Sequence, residues 1–121
     1  MANNVESQSC NNRSTKRLLL LVDVQYDFIN GSLAVEGAPA VMDNLAKYIA
    51  EQPKGTFDII VMTADYHPYE HSSFKVNGGI WPVHCVQNTH GASIYQPVFD
   101  AVKNQFPEAL VLTKGEDIAV D

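Results

Sequence analysis

The stretch TADYHPYEHSSF, Thr63 to Phe74, carries an aspartate two positions before one histidine and six before another. Asp65 and His67 follow an apolar run that reads as a strand, and a spacing of two on extended backbone sends both side chains to one side. They can therefore meet one ion. A carboxylate with imidazoles suits zinc, iron or manganese, whereas calcium or magnesium would want more oxygen ligands. A third ligand must come from farther along. His84 in WPVHC is the choice, because Trp81 and Pro82 would stiffen its approach, and His71 is the competitor. The plain alternative is a strand-end aspartate capping a turn beside solvent-exposed histidines, which D-x-H alone does not rule out.

Asp23 is the second residue out of place, since it ends the apolar run Leu18 to Val22. The carboxyl end of a strand is where a parallel sheet opens its ligand crevice. Burial there would disfavour the charge unless a cation lies close. Lys114 in VLTKGED, just after a third apolar run, occupies the same sheet edge and can supply it. Two opposite charges facing one crevice make a functional-site candidate, against the alternative of a structural ion pair at a loop junction. Asp27 reads as a turn or cap residue and Asp58 as a solvent-facing strand start. Phe28 and Trp81 could line a small aromatic pocket, although an isolated aromatic is more often plain core. Cys85, beside the proposed ligand His84, reads as a buried structural thiol rather than a nucleophile.

Positioning these groups requires a sheet. LLLLVDV from Leu18 suits a strand buried on both faces. Pro39 then opens a helix with Val41, Leu45, Tyr48 and Ile49 on one stripe and Asp43, Lys47 and Glu51 off it. FDIIVMTA (57–64) is the second strand, PVFDAVKNQ (97–105) a short helix with Val98, Ala101 and Val102 inward, and ALVLT (109–113) the third strand. This order predicts an α/β fold with a parallel sheet and right-handed crossovers. One connection breaks the rhythm: about 30 residues separate the second strand from the second helix, where plain loops rarely exceed ~12. All four histidines lie in it.

The 121 residues allow one domain. Eight basic against fourteen acidic residues, with no basic cluster, argue against nucleic acid as a partner. Two cysteines make no disulfide framework, which favours a reducing compartment. The longest apolar run is too short for a membrane span or a signal-peptide core, so a cytoplasmic protein is expected. Residues 1–16, rich in Asn and Ser, form a polar leader that cannot offset the entropy of ordering, and an organelle address within it is the alternative. The domain itself is placed at 17–121.

LLLLVDVQYDF, GSLAV, ADYHPYEHSSF, WPVHCVQNTHGA and LTKGED stand in the order and at the spacing of the nicotinamidases, and the chain from Leu18 onward resembles these members of the isochorismatase-like cysteine hydrolases. The resemblance implies a three-layer αβα, Rossmann-like fold. It assigns Asp23 as general base, Lys114 as catalytic lysine, and Asp65, His67 and His84 as ligands of one divalent transition metal, zinc foremost. Phe28, Leu33 and Trp81 match positions that sandwich the nicotinamide ring. The metal triad favours nicotinamidase over isochorismatase or carbamoylsarcosine amidase. In such enzymes a cysteine thiolate attacks the carboxamide, ammonia leaves, and water releases nicotinic acid from the thioester, a step of NAD salvage. The aspartate manages protons, the lysine favours the thiolate, and the metal holds the pyridine nitrogen.

The family pattern is departed from at Tyr66, where Trp or Phe is common, and at Val83, where an acid or proline is frequent. The resemblance also places the nucleophile beyond the lysine in a block like ATDYCV, past Asp121, so a C-terminally incomplete enzyme, inactive by itself, is expected. In the sheet order 3-2-1-4-5-6 the first strand is central. Without its neighbour it would be an open apolar edge suited to pairing or aggregation. The alternative to an enzyme is a non-catalytic, metal-binding paralogue acting through oligomerisation or a partner.

Overall fold

The computed structural model describes residues 15–120; the leader through Ser14, with Cys10, lies outside the described residues. The elements run β1 (Leu18–Val22), α1 (Tyr26–Ile29), α2 (Ala38–Glu51), β2 (Ile59–Asp65), α3 (Gln96–Gln105) and β3 (Leu110–Lys114), with short 3-10 turns at Lys75–Asn77 and His90–Ala92. The strands form a parallel sheet ordered β1-β2-β3, in which Val22 pairs with Thr63 and Asp65 with Lys114. The α/β class and the parallel sheet are those expected from the sequence.

Successive right-handed crossovers that advance in one direction put their helices on the same face. Accordingly α2 and α3 pack together over Leu21, Ile60 and Met62, closing a core with Ile49, Val98, Ala101 and Val102. Pro39 opens α2 at its first turn, where its missing N–H costs nothing. The inward stripe of α2 is Met42, Leu45, Ala46 and Ile49. Val41 and Tyr48, expected inward, flank that stripe and are 57% and 50% exposed. Leu45 and Ile49 belong to both stripes, so the covered arc is turned by less than one residue step of about 100° from the reading its sequence suggested. In α3 the expected residues Val98, Ala101 and Val102 are the buried ones.

The described residues form two layers, the sheet and the helices, where three were expected. On the sheet face turned away from the helices, Leu18, Leu20, Val22, Leu110 and Leu112 are each at least half exposed. Asp58 does more than face solvent: its carboxylate accepts the Arg17 N–H at 2.6 Å and fixes the entry to β1.

Candidate functional site

The three strands end along one edge of the sheet, and each delivers a charged group there. β2 ends on Asp65 and β3 on Lys114, which are register partners. Asp23 follows β1 with a backbone φ of 59°, in the left-handed region that aspartate tolerates better than most residues. Its amide donates to the Thr63 carbonyl at 3.1 Å, and the Thr63 hydroxyl donates to Asp23 Oδ1 at 2.9 Å. Lys114 Nζ donates to Asp65 Oδ1 at 2.6 Å and to Asp23 Oδ2 at 3.1 Å, so one ammonium bridges two carboxylates. Burial alone would lower the Lys114 pKa, but the hydrogen bonds and charges of Asp65 and Asp23 outweigh it and hold it above the ordinary lysine value.

The other oxygen of Asp65 faces the histidines. Oδ2 lies 3.5 Å from His67 Nε2 and 4.0 Å from His84 Nε2. The ligand atoms of Asp65, His67 and His84 all lie within 4.8 Å of one another, and all three residues are buried. The ring orientations fit a metal. His67 Nδ1 donates to the Gly115 carbonyl at 2.8 Å, and His84 Nδ1 donates to the Pro82 carbonyl at 2.7 Å. With Nδ1 carrying the proton, each Nε2 turns its lone pair toward Asp65, the usual arrangement of an imidazole held for metal binding by a partner on its other nitrogen. Two imidazoles and a carboxylate are a donor set for a divalent transition metal.

His71, the competing ligand, is used otherwise. It is buried and stacks on His67 with ring centroids 4.2 Å apart. Its Nε2 donates to the Val120 carbonyl at 2.8 Å, and its Nδ1 accepts from the Ser73 hydroxyl at 2.7 Å. Both nitrogens are taken, and the segment after β3 is tied down at Val120 by His71 and at Gly115 by His67. Fully buried Phe74 forms an apolar floor in ring contact with His67, His71 and His84. Such a floor lowers the local dielectric and strengthens every charge interaction above it.

Of the three residues expected to hold a ring, Phe28 contacts the His84 imidazole with centroids 5.6 Å apart. It also lines an apolar groove of about 250 Å³ with Asp23, Val24, Val35 and Met42. Leu33 is half-buried on the turn after α1, its amide donating to the Asp27 carbonyl. Trp81 is 43% exposed and is held through its backbone by Ser73 and Lys75.

Cys85 is fully buried, its Sγ 4.0 Å from the Gly91 carbonyl. Burial, with the charges of Asp27, Asp65 and Asp23, pushes its thiol pKa far above the ordinary cysteine range, against the opposing pull of Lys114. Such a thiol is inert at neutral pH.

Sequence reasoning missed Gln25. This fully buried side chain donates through Nε2 to the Asp65 carbonyl (2.7 Å) and the Ala92 carbonyl (2.8 Å), and its Oε1 accepts the Asp65 N–H at 2.9 Å. The available signal was a lone amide in an apolar stretch two residues past Asp23.

Fold and site together define a parallel α/β protein with an Asp-His-His metal-type cluster and an Asp-Lys pair at the carboxyl edge of its sheet. No family model matches the chain. The nicotinamidase of Escherichia coli K12 is 32% identical over 87% of this chain and 54% of its own. The solved PnC1 of L. infantum in complex with nicotinate superposes with a TM-score of 0.75 at 33% identity, over 90% of this chain and 52% of that one. The pyrazinamidase of Pyrococcus horikoshii in complex with zinc gives a TM-score of 0.73 at 32% identity, over 88% and 56%. Over most of its length the chain is thus similar to nicotinamidases, members of the isochorismatase-like superfamily. It spans about half the length of the curated relatives it matches.

Proposed function

We propose that this protein is a nicotinamidase, hydrolysing nicotinamide to nicotinic acid and ammonia in NAD salvage, and that these residues supply its metal-binding and proton-managing groups. The observation that carries the reading is the unbroken line from Asp23 through Lys114 to Asp65 and on to His67 and His84, at the edge where a parallel sheet binds ligands. In this reading Asp65, His67 and His84 hold one zinc ion, which when bound supplies a Lewis acid that fixes the pyridine nitrogen. Phe28, Leu33 and Trp81 face the ring. Asp23, held by Lys114 and Thr63, carries protons between nucleophile, leaving ammonia and water. Lys114 adds positive charge that favours a thiolate and an anionic intermediate.

Cys85 is not assigned as the nucleophile, because its thiol is buried and its pKa pushed up. Among the described residues, the reading therefore assigns metal-binding, ring-binding and proton-managing groups but no nucleophile. The few cysteines support a cytoplasmic setting. The test is calorimetric titration of the zinc-loaded chain with nicotinamide and nicotinic acid, together with an ammonia assay. Binding lost in Asp65→Ala is expected; absence of binding to either compound by the metal-loaded wild type defeats the substrate assignment. Ammonia release would show that the chain carries its own nucleophile.

A second reading is favoured by the apolar sheet face of Leu18, Leu20, Val22, Leu110 and Leu112. It is a non-catalytic metal-binding paralogue that pairs this face and the β1 edge with a second copy or a longer relative. Light scattering after size exclusion decides it: an oligomer holding stoichiometric metal supports pairing, and a metal-free monomer counts against it.

A further inference from the structure

Of the three proposed ligands, His84 alone lies outside any strand or β-bridge. Asp65 is the last residue of β2, and His67 follows it by two, whereas His84 sits in a loop between the two 3-10 turns. The next residue, Cys85, has a φ of 50°, in the left-handed region that non-glycine residues rarely enter. Such a conformation persists only where the surroundings over-determine it. Here the surroundings are α1 and its following turn. Asp27 Oδ2 accepts the Cys85 N–H at 2.7 Å, on one side of His84. The Ser32 hydroxyl donates to the Val83 carbonyl at 2.6 Å, on the other. The Cys85 carbonyl in turn accepts the His67 N–H at 2.9 Å, so the same residue joins Asp27 to a second proposed ligand.

The carboxylate is closely enclosed. A Cβ at either Gly31 or Gly91 would collide with its oxygens, so both positions are free of side chains where Asp27 needs the space. Phe28, the next residue along α1, touches the His84 ring, so α1 addresses the ring-binding wall and the metal ligand together.

We propose that Asp27 is a positioning residue for the metal site: its carboxylate, with the Ser32 hydroxyl, brackets His84 through hydrogen bonds to the residues on either side and so aims the third ligand. The proposal rests on the reading of Asp65, His67 and His84 as metal ligands. An aspartate is the apt residue because a charged acceptor on a backbone N–H makes a shorter and stronger bond than a neutral one. Asparagine keeps an acceptor in the same place, and alanine keeps none.

The test is cobalt(II) affinity by chelator competition, with the visible spectrum of the cobalt-bound full chain, for Asp27→Ala, Asp27→Asn and Ser32→Ala. Loss of a group that orients a ligand costs about 10–100-fold in metal affinity. That loss, with an altered d–d spectrum, is expected for Asp27→Ala, and Asp27→Asn should recover most of it. Ser32→Ala should weaken binding several-fold. Wild-type affinity and spectrum in Asp27→Ala overturn the proposal. Should that variant fail to fold, wild-type behaviour in both Asp27→Asn and Ser32→Ala overturns it equally. Should the wild type bind cobalt no better than Asp65→Ala, the metal reading falls, and amide hydrogen exchange at 83–86 in the metal-free chain judges the bracket. Faster exchange in Ser32→Ala, and in Asp27→Ala where it folds, upholds it, and unchanged exchange overturns it.

Discussion

Replacing Gln25 by leucine keeps nearly the same volume in a fully buried site and deletes three hydrogen bonds, two to Asp65 and one to Ala92. At about 1 kcal/mol net apiece the bonds set a floor of about 3 kcal/mol, and leaving desolvated backbone groups unpaired raises the expected loss to about 5 kcal/mol. A chain of 121 residues has roughly 6–18 kcal/mol in all, at about 0.05–0.15 kcal/mol per residue, so the loss is a large part of the total. Urea unfolding followed by far-ultraviolet circular dichroism reads it directly. With a slope of about 1–3 kcal/mol per molar, the midpoint should fall by roughly 2 M or more at constant slope. Gln87→Leu is the internal comparison, since Gln87 Nε2 makes one bond of this kind, to the Tyr66 carbonyl at 3.0 Å, and about 1 kcal/mol is expected. Gln25→Glu separates donor from acceptor. It can still accept from Asp65 N–H but cannot donate to either carbonyl, and it adds a negative charge beside Asp65, so it should be no better than leucine. A loss below about 1 kcal/mol in Gln25→Leu at unchanged slope would refute the argument that this amide holds the end of β2 in place.

Further outcomes follow from the same geometry. His67→Phe should abolish transition-metal binding in equilibrium dialysis, whereas His71→Phe should retain stoichiometric metal while loosening the segment after β3, seen as faster amide exchange at 115–120. Stability should fall on the alkaline side. The raised Cys85 pKa keeps its proton in the folded state, so its contribution is intact below the unfolded value of about 8.5 and is lost above it at about 1.4 kcal/mol per pH unit. Cys85→Ala should flatten the unfolding midpoint between pH 9 and 10, and an unchanged slope would show the thiol titrating normally. Lys114 acts in the same direction at higher pH: its contribution is intact below about 10.4 and is lost as pH climbs through its raised folded value, so Lys114→Met should remove that later fall. Leu20→Lys, on the bare face of β1, should lower concentration-dependent association in light scattering without a loss of helix signal.

The sequence by itself determined the order of strands and helices and the edge at which the chemistry collects. That inference is robust because apolar runs bounded by turns report buried strands, and in a parallel sheet the residues that end successive strands must share one rim. Asp23, Asp65 and Lys114 could thus be assigned to one rim, and in the structure Asp65 and Lys114 are register partners. Tertiary structure alone decided what holds them. Gln25 reaches partners 40 and 67 positions away, and Asp27 reaches one 58 positions away. No local spacing encodes contacts at such separations, so Asp27 read as a turn residue and Gln25 did not register. The phase of α2 was decided the same way, because Val41, Met42, Leu45 and Tyr48 form a broad apolar arc, and only the sheet and α3 beneath it select which part is covered. His71 is the sharpest case. By residue type it could have bound a metal as well as His84, and the placement of Val120 and Ser73 against its two nitrogens removed it from the ligand set.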